Sequence, residues 1–126
     1  MESRDCLVDS SVFIALYRDV DSQHAEALRV MTELWGRTLI VHPYVIQETV
    51  TVLTRKGGFD VAKRFLFDIS ASANVIIPAV NVHADIRVFL EAGLKISFTD
   101  MALISLAKQA SAQLITFDRQ MLDLLK

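Results

Sequence analysis

The segment Cys6-Leu7-Val8-Asp9-Ser10-Ser11-Val12-Phe13-Ile14-Ala15-Leu16 decides the fold class, because an apolar run, an acid and a helical pattern follow one another in it. The run ends at Asp9, and the helical pattern extends over residues 11–17. An apolar run without a polar face is typical of a strand buried on both sides, as in the parallel sheets of α/β proteins. The segment therefore predicts a buried strand that delivers an acid to the start of a helix.

Three further runs of this kind, at residues 38–41, 74–77 and 113–117, alternate with helical patterns. Such alternation predicts a three-layer α/β/α sandwich around a parallel sheet of four or five strands. In the helix predicted for residues 22–35, Trp35 and the stripe that contains Met31 are expected in the core. The other helices are expected at residues 43–56 (ending at Gly57-Gly58), 60–69 (capped by Asp60), 81–91 (capped by Asn81 and ending at Gly93), 99–110 and 119–125.

Size, charge and cysteine content narrow the class of protein. The chain has 126 residues, 52% of them hydrophobic, which predicts one domain over residues 1–126. A net charge of −2 argues against coating nucleic acid by charge alone, but not against an enzyme that contacts a few phosphates. Cys6 is the single cysteine, so an internal disulfide and a thiolate metal cluster are excluded. We expect a cytoplasmic protein without signal peptide or membrane span.

Four acids are candidates for a common site. Asp9 and Asp118 each follow a predicted strand, Asp100 opens a predicted helix, and Glu48 lies within the helix after Pro43 on a mostly apolar face. In open parallel sheets, ligands bind beyond the carboxyl ends of the strands, where the strand order reverses. Carboxylates gathered there repel one another and stay ionised only when a cation compensates them. Oxygen ligands favour a hard divalent cation beside a phosphate.

Each acid also has a structural interpretation. Asp9 and Asp118 could cap the helices that follow them, and Ser97-Phe98-Thr99-Asp100 has the pattern of a capping box. Glu48 alone would be an ordinary exposed helix residue. The spacing by itself leaves the metal site and these structural roles both open. The three histidines lack ligand spacing and are expected in structural or surface roles: His24, His42 and His83.

At these residues the sequence resembles the PIN-domain family, most closely the VapC-type toxins of toxin–antitoxin pairs. The resemblance covers nearly the whole chain and rests on four segments in order, each containing one acid: residues 7–16, 43–48, 97–104 and 114–118. Many relatives continue past the last acid with a further short strand, whereas this sequence ends at Lys126. A fifth strand is therefore left open.

The resemblance implies an endoribonuclease that uses Mg²⁺ or Mn²⁺ to hydrolyse phosphodiester bonds in single-stranded regions of RNA. It implies that Asp9, Glu48, Asp100 and Asp118 form the catalytic metal site, and that the small polar residues Ser11 and Thr116 support it. A homodimer and an antitoxin that covers the acidic groove are the implied partners. From the residues alone, Arg55 is a candidate RNA contact, because it shares the face of Glu48.

Two other functions fit the same pattern. A catalytically silent module could dock a partner protein through the acidic groove, and it would neither bind divalent metal nor cleave RNA. A phospho-accepting receiver domain is also small and parallel α/β. That class needs paired acids after the first strand and a lysine after the last, and Asp9-Ser10 and Asp118-Arg119 supply neither.

Overall fold

A computed structural model describes residues 4–126 and contains four strands and seven helices in that part of the chain. The expectation about a signal peptide falls on residues 1–5, of which 1–3 lie outside the described residues. No helix within residues 4–126 is long and apolar enough to cross a membrane. In chain order the elements are β1 (Cys6–Val8), α1 (Ser10–Tyr17), α2 (His24–Glu33), β2 (Leu39–Ile40), α3 (Pro43–Gly57), α4 (Phe59–Ala71), β3 (Val75–Ile76), α5 (Val82–Ala92), α6 (Phe98–Ala110), β4 (Gln113–Ile115) and α7 (Arg119–Leu124).

The strands form one parallel sheet in the order β3-β2-β1-β4. The connections from β1 to β2 and from β2 to β3 step the same way across the sheet, towards its β3 edge. The connection from β3 to β4 crosses back past β2 and β1 to the opposite edge. Because such crossovers are right-handed, the first two place their helices on one face and the third places its helices on the other. The predicted three-layer α/β/α fold is thus confirmed. The strand order reverses between β1 and β4, which puts the crevice at their carboxyl ends.

The core lies between the sheet and the two helical layers. All of β1 is inaccessible to solvent, as expected for a central parallel strand. On the face of α1–α4, Phe65 from α4 is fully buried and packs against Phe13 and Tyr17, with ring centroids 5.1 and 5.5 Å apart. This aromatic cluster anchors α4 to α1, and α4 in turn packs along α3. The position of α3 therefore depends in part on the packing of α4 against α1.

The sequence signals for helix ends were mostly confirmed. Asn81 caps α5 by accepting a hydrogen bond from the backbone N–H of Ala84, and Gly93 ends that helix in the left-handed conformation. The prediction that Asp60 caps the next helix was wrong. Gly58, with φ of +96°, makes the sharp turn from α3 and is itself the N-cap of α4, so Asp60 lies inside the first turn.

The prediction that Trp35 lies in the core was wrong, and the prediction for the stripe that contains Met31 was right only for Met31 itself, which packs against the core. Trp35 is 89% exposed, and Leu28 of the same stripe is 47% exposed, while Met31 is only partly buried. The buried residues are instead Ala27 within α2 and Leu34 at its C-cap. A small residue at the contact lets α2 approach α1 closely, and a stripe containing tryptophan would hold the helices apart.

The prediction that all four strands are buried on both faces was wrong for β3. Ile76 is exposed and Val75 is only partly buried, because β3 lies at the edge of the sheet. The described residues supply four strands, so the sheet has the smaller of the two predicted sizes.

We expect Phe65→Ala to lower the free energy of unfolding by about 3–5 kcal/mol, since it empties the centre of a buried aromatic cluster. Trp35→Ala removes a larger side chain that makes little packing contact, so it should change this free energy by no more than about 0.5 kcal/mol. Urea denaturation at a fixed protein concentration measures both. A large loss for Trp35→Ala would mean that the outer stripe of α2 is buried in solution.

Candidate active site

Asp9 lies directly after β1 and is almost fully buried, with 4% of its surface exposed. Its Oδ2 accepts hydrogen bonds from Ser11 Oγ and from Thr116 Oγ1, both at 2.8 Å. The carboxylate makes no hydrogen bond to the N-terminus of α1, although Asp9 occupies the N-cap position. The capping role is therefore absent. The side chain is held by these two hydroxyls and by a longer hydrogen bond of 3.5 Å from Ser10 Oγ to its Oδ1.

Ser11 and Thr116 connect the ends of β1 and β4. Ser11 Oγ accepts the backbone N–H of Phe117 at 3.2 Å, and Thr116 Oγ1 accepts that of Asp118 at 3.0 Å. Each hydroxyl thus receives a hydrogen bond from the loop after β4 and donates one to Asp9. The two small polar residues lie beside Asp9, where the sequence placed them, and they fix its orientation.

Asp118 caps α7, because its Oδ1 accepts the backbone N–H of Gln120 at 2.9 Å. The structural interpretation of Asp118, that it caps the last helix, is therefore correct. Capping occupies one of the two carboxylate oxygens, so it leaves the other free to serve a second purpose. The Thr116 hydroxyl holds the backbone of Asp118 at the same crevice as Asp9.

Asp100 is the residue whose pKa is raised by the charges of the other three acids. It lies in the first turn of α6, and its backbone N–H donates to Ser97 Oγ at 3.0 Å, as the capping pattern predicted. Burial raises the pKa of the Asp100 carboxyl to about 6, and the charge of Asp9 is the next largest cause. The charges of Glu48 and Asp118 also raise the pKa, while the Ser97 hydroxyl opposes the rise. The other three predicted acids are thus within electrostatic reach of Asp100.

Glu48 differs from the other three acids in being exposed. Glu48 lines an open cleft between α3 and the start of α6, opposite Thr99 and together with Tyr44 and Val52, two of the apolar neighbours that its helical spacing predicted. The fully buried side of α3 carries other residues. Arg55 is also exposed, in the last turn of α3.

The acids suit a hard cation in their chemistry but do not surround one. Within residues 4–126, no three Asp, Glu, His or Cys side chains are grouped closely enough to hold a metal ion. All four donors are carboxylates, the type that Mg²⁺ and Mn²⁺ prefer. Mg²⁺ usually keeps several waters and needs only one or two direct carboxylates, so an open arrangement is compatible with it. By the chemistry of their side chains, the four acids therefore fit a Mg²⁺ or Mn²⁺ ion.

Sequence reasoning missed a second set of contacts beside the cleft. His42 is buried and caps α3, with Nδ1 accepting the backbone N–H of Tyr44 at 3.0 Å, and burial lowers its pKa. The Tyr44 hydroxyl donates to Asp85 Oδ2 at 2.7 Å. Tyr44 and Asp85 are 41 residues apart, and neither belongs to a recognisable motif, so no signal in the sequence pointed to the pair.

Comparison with known proteins identifies the fold and the family. The model of the PIN domain matches residues 6–125 of this chain. Among solved structures, the chain is similar to the Mycobacterium tuberculosis toxin VapC20, described as cleaving the sarcin–ricin loop, with a TM-score of 0.82 and 21% sequence identity over 94% of each chain. At this level of identity the similarity shows a shared fold. A search of curated protein sequences gave no match.

We expect Asp100→Asn to stabilise the protein in EDTA at pH 7.5 by about 1 kcal/mol, since solvent screens this half-buried carboxyl and reduces the full effect of its pKa shift. The pKa of Asp100 is about 6 in the folded state against 3.8 ordinarily, so the folded state holds this proton more tightly than the unfolded state. The carboxyl therefore contributes stability below about pH 4 that is lost as the pH rises through 6. Asparagine does not titrate and carries no charge.

Urea denaturation between pH 4 and 8 measures this difference, which should shrink towards pH 4. Asp123→Asn, at an exposed acid paired with Lys126, is the control and should change little at any pH. A less stable Asp100→Asn protein at pH 7.5 would mean that the carboxylate is structural.

Proposed function

The chain belongs to the PIN-domain family, and on that premise we propose that it is an endoribonuclease that uses Mg²⁺ or Mn²⁺ to hydrolyse phosphodiester bonds in single-stranded regions of RNA. The observation that carries the proposal is the grouping of carboxylates at one crevice, where Thr116 holds both Asp9 and the backbone of Asp118, and where Asp100 is within reach of their charges. The pKa of Asp100 is raised to about 6, first by burial and then by the negative charges of Asp9, Glu48 and Asp118. Such a group of acids gains from a cation, and shifted carboxyls in a crevice are typical of functional sites.

The four acids have two roles in this proposal. Asp9, Asp100 and Asp118 hold the cation, and Glu48, exposed across the cleft, holds it through water or orients the attacking water. Bound there, the cation would stabilise the negative charge that develops on the phosphate in the transition state, and it would lower the pKa of a water molecule. Ser11 and Thr116 keep Asp9 oriented towards the crevice by their hydrogen bonds.

Arg55 provides a cation for the RNA backbone beyond the site. It lies seven residues after Glu48 on α3, about 10 Å further along the helix axis. That distance suits a phosphate one or two nucleotides from the scissile bond. Phosphate contacts of this type position a strand without reading its sequence.

We further propose that the protein is the toxin of a toxin–antitoxin pair, acts as a homodimer and is inhibited by an antitoxin that covers the acidic groove. Its fold is shared with a structure described as a toxin. For the homodimer, α5 offers a stripe of exposed apolar side chains at four-residue spacing, namely Val82, Ile86 and Leu90. Inhibition of RNA cleavage by a co-purified partner is the readout for the antitoxin.

A catalytically silent docking module is the second candidate. It is favoured by the exposure of Glu48 and by the absence, within residues 4–126, of three potential metal ligands grouped around one point. It differs from the enzyme in one respect that can be measured, since divalent metal should neither bind to it nor support cleavage.

The decisive experiment is cleavage of a mixed single-stranded RNA with Mg²⁺, Mn²⁺ or EDTA. We expect cleavage with either metal and none in EDTA, and Asp100→Asn should reduce the rate by on the order of 100-fold or more. Asp123→Asn should retain the rate of the unmodified protein, because this acid is exposed and pairs with Lys126 at the end of the chain. Folded protein that neither cleaves RNA nor binds Mn²⁺ would favour the docking module.

Substitutions of two basic residues, assayed in the same way, distinguish an effect on RNA binding from an effect on the cleavage step. Arg55→Ala should raise KM by about threefold and weaken its dependence on salt, with little change in kcat. Lys63→Ala removes an exposed cation on α4 and serves as the matched control. Equal effects of the two substitutions would show that Arg55 acts only through net charge.

We expect Leu90→Lys to convert the proposed dimer to a monomer, because it places a charge in an apolar contact. Val20→Lys is the matched control, since Val20 is similarly exposed, at 78% against 71% for Leu90, but lies outside α5. Sedimentation equilibrium of both variants measures the effect. If both remain dimers, the interface lies elsewhere, and if the unmodified protein is a monomer, the dimer proposal is wrong.

A further inference from the structure

Tyr44 connects three helices at the edge of the catalytic cleft. Its hydroxyl donates to Asp85 of α5 at 2.7 Å. Its ring packs against Phe98, the first residue of α6, with centroids 5.7 Å apart, and against His42 at 4.4 Å. Phe98 in turn packs on Phe89 of α5 at 5.6 Å. The start of α3 is therefore fixed to both helices of the opposite layer.

This junction lies next to two of the four acids. Glu48 follows Tyr44 by four residues, which is about one turn of α3. Asp100 follows Phe98 by two residues in the first turn of α6. Glu48 and Asp100 themselves are on helices from opposite faces of the sheet. Their separation therefore depends on how the start of α3 is held against the start of α6.

The hydrogen bond between Tyr44 and Asp85 is the specific part of this junction. Among residues 4–126, it is the one side-chain hydrogen bond that joins α3 to α5 or α6. Both side chains are partly buried, so water competes with the bond less than at an exposed site. Aromatic packing alone tolerates sliding and tilting, whereas a hydrogen bond to a carboxylate fixes the direction of the ring.

We propose that Tyr44 and Asp85 are positioning residues that set the separation between Glu48 and Asp100 and thereby the affinity of the acidic site for divalent metal. The inference rests on the proposed metal-dependent function. In this role both residues act through the positions of Glu48 and Asp100 and not as metal ligands. Outer groups that orient metal ligands commonly change metal affinity when they are removed.

The test compares Tyr44→Phe with Tyr17→Phe. Tyr17 also donates its hydroxyl to a carboxylate, that of Asp68, but this bond joins α1 to α4 away from the cleft. Each substitution removes one hydroxyl and leaves the ring in place. We expect Tyr44→Phe to weaken the binding of Mn²⁺, measured by calorimetry, by about tenfold, and to lower kcat with little change in the KM for RNA. Tyr17→Phe should bind Mn²⁺ within about twofold of the unmodified protein.

Two substitutions of Asp85 separate the hydrogen bond from packing. Asp85→Asn keeps an oxygen that can accept from Tyr44, whereas Asp85→Ala does not. We expect Asp85→Ala to weaken Mn²⁺ binding as Tyr44→Phe does, and Asp85→Asn to restore most of the affinity. Thermal melts in EDTA establish that each variant is folded at the temperature of the titration.

The outcomes for the two proposals are distinct. Unmodified protein that binds no Mn²⁺ overturns both the metal site and this inference. Unmodified protein that binds Mn²⁺ while Tyr44→Phe binds it equally well overturns the positioning role alone. Equal weakening by Tyr44→Phe and Tyr17→Phe also overturns that role, because it would reflect a general loss of stability.

Discussion

The organisation of this protein depends on a carboxylate held inside the end of its central strand. Asp9 is almost fully buried, and an isolated charge in such a place is strongly unfavourable. Hydrogen bonds from Ser11 and Thr116 compensate it, and both hydroxyls are in turn held by the loop after β4. The junction of β1 and β4 is therefore built around this one side chain. Any cation bound in the crevice would meet a ligand that is already oriented.

The charges gathered at the crevice lower the stability of the folded protein when no cation is bound. The shifted pKa of Asp100 shows that its charge is unfavourable in the folded protein without a cation. The core that offsets this cost lies elsewhere, in the fully buried β1 and in the cluster around Phe65. Because the unfavourable charges and the stabilising contacts are in different places, the crevice can be altered without emptying the core. This division is common where activity needs a strained or repulsive site.

Helix α3 links the two parts. One side of it is buried in the core through Val45 and Leu53, and the exposed side carries Glu48 and Arg55. Its first turn is fixed across the sheet by the bond between Tyr44 and Asp85. A helix held in this way transmits the packing of the core to the geometry of the cleft. The openness of the cleft then follows from the distance between α3 and α6, since no direct bond joins Glu48 to Asp100 within the described chain.

The sequence by itself determined the order of strands and helices and most helix ends, and it predicted that four acids share a site. These features depend on local chemistry, because an apolar run ends where a strand ends, and Asn81, Gly93 and Ser97 satisfy backbone groups within a few residues. Family resemblance, carried by the segments around the acids, connected them to a metal and to RNA. Only the tertiary structure decided which stripe of α2 faces the core, how exposed Glu48 is, and that Tyr44 bonds to Asp85. Those outcomes depend on contacts between residues far apart in the chain, and periodicity within one helix holds no information about them.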